Sequence, residues 1–540
     1  MAQSHNPSVQ IRMYRQGLGD CFLLTFREDG KDEYNMLIDC GLLQGTTNGK
    51  AIMRTVVADI DTTLRASGQP KARLDAVVLT HEHADHISGF GQAKDLFEKM
   101  EFGEVWAAWM DDEAHPQYKA VRERFKKQIT GLKAAVAQMD SDEHVGLKQE
   151  VEFLLNEFFD DDVLGAAEKK KKGRSPAWEF AMSHSAGRPR FCTPGMMFPL
   201  PGFEDIRVYI LGPSEDFESF TRVNPPEEDT YREEGHAFAG NAFALMDSFF
   251  AAVGGDDEDA PPEEAFQPFE KRLRVTPEDA QKQEFFQKYY GFYTKAPSVP
   301  VAAAPQAPGA AVPPGGQQAP AATAAPVAEE PIGATVAADK WRRIESDWLS
   351  MVGNLALNLD TYTNNTCLAF AIEFISSKKV LLFPGDAQFS NWLSWQKLTW
   401  EVPGDAGTKE KIKAKDLLEH TVFYKVGHHG SHNATLKKHG LEMMTSSDLV
   451  AMVPVDRKQA ASKTSKTNPK GWEMPEKKLF ERLLERTRGR IILADESEAK
   501  ALKERCNDQK FIDSVKFLGA FKRTDGAQDE PLCIELTIDG

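Results

Sequence analysis

Cysteine is scarce in this chain: six residues among 540, Cys21, Cys40, Cys192, Cys367, Cys506 and Cys533, scattered without a Cys-x-x-Cys pair or framework spacing. That excludes a disulfide framework and reads as reduced core thiols in a cytoplasmic protein. Long uncharged apolar runs are missing too, and Met1-Ala2-Gln3-Ser4-His5-Asn6 offers no apolar signal segment, so neither secretion nor a membrane span is expected. Positive charge is not in excess. With 65 Lys and Arg against 82 Asp and Glu, the net charge of −17 argues against nucleic acid binding over the whole surface, although a local basic groove is still allowed. What the chain does have is apolar content: 41% hydrophobic and 10% aromatic residues are ample for a buried core, in a chain longer than one ordinary domain.

The most informative stretch is Thr80-His81-Glu82-His83-Ala84-Asp85-His86, which follows the apolar run Leu74-Asp75-Ala76-Val77-Val78-Leu79 directly. The run predicts a buried strand, and Gly89 and Gly91 loosen the chain soon after, so these side chains sit where a strand ends, the place where layered α/β folds keep their chemistry. His81 and His83 are two apart and point the same way on an extended backbone, so together they can grip one metal ion. Asp85 and His86, past the bend, can reach a second. Imidazole with carboxylate suits zinc, manganese or iron. The plain alternative, a histidine-rich polar turn, does not require this combination of residue types.

This string resembles the first metal motif of the metallo-β-lactamase superfamily, and further strings follow in the order that resemblance implies. Gly17-Leu18-Gly19-Asp20-Cys21-Phe22-Leu23-Leu24 and Asn35-Met36-Leu37-Ile38-Asp39-Cys40-Gly41 look like the two opening strands, the second ending in an Asp-x-Gly turn. Val380-Leu381-Leu382-Phe383-Pro384-Gly385-Asp386 looks like the strand that ends in Gly-Asp, which makes Asp386 the implied bridging carboxylate. Lys425-Val426-Gly427-His428-His429-Gly430-Ser431, with the early Gly-x-Gly-Asp and with Asn364-Asn365-Thr366 ahead of a strand, resembles the soluble hydrolase domain of ComEC-like proteins. By eye the likeness covers roughly residues 8–95, 200–213 and 345–540.

The resemblance implies an α/β fold, a four-layer αββα sandwich, here with two large insertions. It also implies two divalent ions, zinc or manganese, held by His81, His83, Asp85, His86, Asp386 and His428. Two departures stand out. Asn364-Asn365-Thr366 occupies the place where many members carry a third histidine, and Asn365 is a poor zinc ligand that can orient a substrate or water. His184 is the alternative from elsewhere in the chain. Near the end, Gly471-Trp472-Glu473-Met474-Pro475 stands where a Gly-His-Pro is expected, so His428 or His429 takes over as ligand or the second site binds weakly. We take His428 as ligand and His429 as acid, an order that one sequence leaves open.

Domain organisation follows from composition. Residues 1–92 read as the first half of the core, 93–190 as a helical charged insertion, 191–214 as core strands, 215–295 as an acidic and aromatic insertion, 296–338 as a disordered Pro/Ala-rich linker, and 339–540 as the second half of the core. Lys169 to Lys172, at the edge of the first insertion, read as a solvated loop in preference to a phosphate-attracting rim. An aromatic patch lies at 285–293. Residues 341–360 have helical spacing, and Trp392 and Trp395 on a later helix are explained by core packing.

In this reading, Asp85 and His429 are the catalytic residues, and Asn365, Lys425 and Ser431 are donors to substrate. Two ions would supply hydroxide near neutral pH, while His429 protonates the leaving oxygen. The expectation is a metal-dependent phosphodiesterase or nuclease acting on nucleic acid or another phosphodiester. One alternative is a hydrolase of a carbonyl substrate such as a lactone, thioester or β-lactam; another is a scaffold protein with a decayed metal centre. A nuclease predicts a basic groove of residues such as Lys425, Lys458 and Lys463, whereas a small-molecule hydrolase predicts a closed pocket with few cations.

Overall fold

The structure, a computed structural model, describes residues 6–65, 71–123, 148, 174–216, 227–231, 282–283, 362–403, 408–464, 470–521 and 529–540. Contacts divide the chain into one unit of Met1–Ala260 with Leu349–Gly540 and a second of Pro261–Trp348. Of the second unit only residues 282 and 283 are described, so the architecture is that of the first. Outside the described residues lie the lysine run at 169–172, the acidic and aromatic stretches at 256–264 and 285–293, the linker at 296–338 and the helical spacing at 341–360. Of the charged insertion, residues 124–147 and 149–173 lie outside them too, and a helix begins at 118–123.

In chain order the strands are β1 (Ser8–Tyr14), β2 (Phe22–Arg27), β3 (Tyr34–Ile38), β4 (Arg73–Val78), β5 (Glu101–Ala108), β6 (Arg190–Cys192), β7 (Met197–Leu200), β8 (Phe203–Gly212) and β9 (Ala369–Phe374). Then come β10 (Lys379–Phe383), β11 (Thr399–Pro403), β12 (Lys409–Lys413), β13 (Thr421–Lys425), β14 (Val450–Val453), β15 (Ile491–Leu493), β16 (Val515–Leu518) and β17 (Cys533–Asp539). Besides a two-stranded ribbon of β11 and β12, one large sheet has eight strands in the order β16-β17-β1-β2-β3-β4-β5-β6 and the other seven in the order β15-β14-β13-β10-β9-β8-β7. Each is antiparallel on one side and parallel on the other. The change falls between β3 and β4 in the first sheet and between β10 and β13 in the second.

Alternation along the strands builds the layers. Met36, Ile38, Ala76 and Val78 point between the sheets, where they meet Val208, Phe370, Ile372, Phe383 and Met452 in one buried cluster. Their neighbours Leu37 and Val77 point outward, against helix α1 (Gly49–Arg65) and helix α2 (Ala84–Gln92). A one-residue slip of either strand would exchange these faces, so the register is firmly set. Helix α1 presents Met53, Val56, Val57, Ile60 and Leu64 at helical spacing to the same layer. On the far side of the second sheet, the helix Lys477–Thr487 buries Leu479 and Leu483. The helix Phe389–Trp395 there sets Trp392 against Tyr424, with ring centroids 6.3 Å apart. The result is the four-layer αββα sandwich.

Trp392 and Trp395 are fully buried and their indole N–H groups are used internally: Trp392 donates to the Ala387 and Ala434 carbonyls, Trp395 to Asn391 Oδ1. Core packing therefore accounts for the pair. Two elements differ from the sequence expectation. Residues 17–20 are a loop and the strand begins only at Phe22, because Gly17 and Gly19 take φ of 118° and 147° and leave the extended ladder. A Cβ on Gly19 would lie 2.5 Å from the Gly41 carbonyl oxygen, so the close approach of these loops needs glycine. Residues 101–108, inside the stretch expected as insertion, form β5 beside β4, since Val105, Trp106, Ala107 and Ala108 are apolar enough to be buried in the sheet.

Phe370 stacks on Phe383 at 5.4 Å and meets Trp106 edge-on at 6.3 Å in the layer between the sheets. Phe370→Ala is expected to lower the unfolding free energy by roughly 3–5 kcal/mol, measured by urea denaturation. A loss below about 1 kcal/mol would mean that the two sheets do not share this core.

Candidate metal centre

The strand ends place the side chains. Thr80 to His83 follow β4, and Asp85 and His86 lie in the first turn of α2, where the helix N-terminus favours a carboxylate. Asp39 directly follows β3. Asp20 precedes β2, which runs antiparallel to β3, so it arrives at the same edge. From the other sheet, Asp386 follows β10, and His428 and His429 follow β13. Asp39, His428 and His429 all take the left-handed backbone region, at φ of 54°, 46° and 54°, a strained conformation concentrated at this edge.

Three buried groups of ligand atoms lie within 4.8 Å of one another: His81, His86 and Asp386; Asp20, Asp39 and His86; Asp85, Asp386 and His429. His86 stands at the centre. Its Nδ1 donates to Asp39 Oδ2 at 2.8 Å, which leaves Nε2 facing Asp386 Oδ2 at 3.2 Å. Thr80 ties Asp39 from the other side with its backbone N–H (2.9 Å) and hydroxyl (2.7 Å). His429 donates from Nδ1 to the Pro454 carbonyl at 2.6 Å, and its Nε2 faces Asp85 Oδ2 at 3.0 Å. His83 meets His81 at 2.9 Å, ring nitrogen to ring nitrogen.

Lys425 is committed to this frame. Its three ammonium protons match three acceptors, Asp20 Oδ2, Asp386 Oδ1 (3.1 Å) and the Gly385 carbonyl (3.0 Å). The His428 backbone N–H also donates to Asp386 Oδ1, at 2.9 Å. Asp386 Oδ1 is thereby held, and Oδ2 turns to the cluster.

The residues present fit divalent ions. Asp20, Asp39, Asp85 and Asp386 are buried together and Lys425 is the buried lysine among them, a charge imbalance that an apolar interior tolerates only with added cations. Asp85 Oδ1, His86 Nε2, Asp386 Oδ2 and His428 Nδ1 are buried without a hydrogen-bond partner, as ligand atoms are before a metal arrives. Imidazole with carboxylate is a zinc or manganese donor set.

The other expected residues fall as follows. Asn365 is buried ahead of β9, with neither side-chain polar atom hydrogen-bonded, while Ser431 is half-buried and donates to Asn433 Oδ1 at 2.8 Å. His184 packs against Phe102 and Phe180 and reaches the Met100 carbonyl at 3.3 Å, so it belongs to the outer helix layer. Among the described residues, the close ligand groups contain His429 and not His428. Three residues of the site had no assigned role: Asp20, Asp39 and Thr80. Their signals were the Gly-x-Gly-Asp and Asp-x-Gly strings and the position just before the histidines.

Fold and cluster together define a two-sheet α/β protein with a buried histidine and aspartate site of the kind that metal-dependent hydrolases use. The family model of the metallo-β-lactamase superfamily matches residues 14–130, a span that includes Asp20, Asp39 and the whole His81 to His86 string. No curated protein matches the chain. Among the described residues, no helix is long and apolar enough to cross a membrane.

Burial pushes the His86 imidazole down, but Asp386, Asp85, Asp20 and Asp39 outweigh it and hold His86 well above the ordinary 6.5. His429 is likewise raised, burial being overcome by Asp85. Burial wins at His81 and His83, and His83 falls to about 3. Below 6.5, the raised pair stabilises the metal-free fold fully; that contribution is lost as pH rises through their folded values. The lowered pair acts in the opposite sense, its stabilisation being lost as pH falls below 6.5. Urea unfolding in chelator should therefore show greatest stability near neutral pH and a decline on the alkaline side, which added zinc abolishes by taking the protons' place. An alkaline limb that is flat without metal would contradict this.

Proposed function

We propose that this chain is a metal-dependent phosphodiesterase, a nuclease or a hydrolase of smaller phosphodiesters. The observation that carries the hydrolase part is the meeting of Asp386, from the second sheet, with His86 and His81 from the first. The phosphodiester part rests on the likeness of Lys425 to Ser431 and Asn364 to Thr366 to ComEC-like hydrolases. The holders of the ions would be His81, His83, Asp85, His86, Asp386 and His429. Two such ions lower the pKa of water and stabilise negative charge that develops on the substrate.

The protein's own groups do the rest. Asp39 fixes the tautomer of His86, and Lys425 with the His428 N–H fixes the rotamer of Asp386. With His429 drawn into the carboxylate cluster, we assign the hydrogen bond to the leaving oxygen to His428, which burial holds below its ordinary 6.5 so that it donates from its neutral N–H, and whose buried Nδ1 has no hydrogen-bond partner. This reverses the order taken from the sequence. Asn365 is retained as a substrate donor, and Lys425 becomes a positioning residue because its protons are already engaged.

A second reading, hydrolysis of a carbonyl substrate, draws support from the pocket beside His81. Met110, Val121, Trp178 and Tyr362 line it, and its cation, Arg122, pairs with Glu82 at 3.2 Å. Of the lysines expected to form a basic groove, Lys425 is buried in the site on Asp20, Asp386 and the Gly385 carbonyl, Lys458 is exposed and Lys463 is half-buried.

Wild-type protein loaded with manganese or zinc is expected to hydrolyse bis-p-nitrophenyl phosphate, and Asp85→Ala to lose about 100-fold or more of that rate. If metal-loaded wild type is inert on this ester but cleaves a nitrophenyl acetate or a lactone in an Asp85-dependent way, the carbonyl reading replaces the first.

A further inference from the structure

Between the two ligand histidines stands Glu82, a residue that the chemistry above does not use. Its carboxylate is nine-tenths buried and meets two arginines, Arg122 Nη1 at 3.2 Å through Oε2 and Arg174 Nη1 at 3.3 Å through Oε1. Arg174 is equally buried. It also pairs with Asp111 at 2.9 Å, and its guanidinium lies over the Trp178 ring at 5.6 Å. Both arginines thus take hold of the same carboxylate.

We propose that Glu82 is a positioning residue for the metal centre, its ion pairs with Arg122 and Arg174 holding the short loop that carries His81 and His83 in the ligand geometry. The inference rests on reading the buried cluster as a metal centre. Three observations carry it. The backbone of the Thr80 to His83 segment is bonded only at its ends, the Thr80 carbonyl accepting from the Leu368 N–H at 2.9 Å and the His83 carbonyl from the His86 and Ile87 N–H groups at 3.0 and 3.1 Å, so among the described residues side chains must fix His81 and Glu82 between them. Thr80 is tied down through Asp39 and His83 caps α2, which leaves the middle of the loop to Glu82. Arg174 is itself gripped from two further sides, by Asp111 and Trp178, so it offers Glu82 a rigid anchor in place of a mobile surface partner. Outer-shell contacts of this sort typically govern metal affinity by about 10-fold to 100-fold.

The test is cobalt(II) binding to the full chain, read by affinity and by the visible d–d spectrum, which reports ligand geometry independently of turnover. Glu82→Gln keeps the side-chain shape and leaves Arg174 with Asp111 as its counter-charge. The expected result is a cobalt affinity about 10-fold to 100-fold weaker with an altered d–d band, while the thermal midpoint in the absence of metal stays close to wild type. Arg122→Gln, which removes a more exposed partner, should shift affinity and band in the same direction by a smaller factor. Wild-type affinity and an unchanged band in folded Glu82→Gln would overturn the proposal. Should Glu82→Gln fail to fold, unchanged cobalt binding in Arg122→Gln would overturn it equally. Failure of the wild type itself to bind cobalt would remove the metal-centre reading, and this inference with it.

Discussion

Four carboxylates buried around a single lysine are the constraint on which the rest of this structure depends. Asp20, Asp39, Asp85 and Asp386 cannot share an apolar interior with Lys425 alone as counter-charge, so protons on His86 and His429 or divalent cations must complete the balance. The same residues link folding to metal binding, because metal displaces the protons that otherwise neutralise the cluster.

Layered sheets make that cluster possible. Each sheet changes from antiparallel to parallel beside the site, at β3 and β4 on one side and β10 and β13 on the other, and the ligand-bearing loops leave the ends of these strands. The preceding antiparallel strands bring Asp20 and Asn365 to the same edge from their N-terminal ends. Rigid strands packed through Phe370, Phe383 and Met452 therefore set the spacing between ligands contributed by distant parts of the chain. Loops alone could not hold Asp85 and His429, 344 positions apart in the chain, at 3.0 Å.

Around the ligands, orientation is imposed by groups with no metal chemistry of their own. Asp39 selects the His86 tautomer, the Pro454 carbonyl selects that of His429, and Lys425 with a backbone N–H turns Asp386. Glu82 and its two arginines extend this logic to the histidine loop. A centre held on all sides arrives at its substrate already organised, so little reorganisation is left to oppose the reaction.

Much of this was legible in the chain itself. The apolar run of β4, and the combination of ligand types from His81 to His86, follow from local rules that need no knowledge of the fold. Asp386 and the His428–His429 pair were marked instead by the likeness of their Gly-Asp and His-His-Gly-Ser strings to family motifs. What only the tertiary structure decided was partnership. Whether His428 or His429 meets Asp85 depends on a left-handed kink at both residues, and whether Lys425 faces substrate or carboxylates depends on Asp20 arriving from the loop ahead of β2 in the other sheet. Glu82 is the plainest case: its place between two histidines is a local fact, but its partners lie 40 and 92 positions away, at Arg122 and Arg174. Local sequence dictates which atoms a residue offers, and packing of distant segments dictates which atoms they meet.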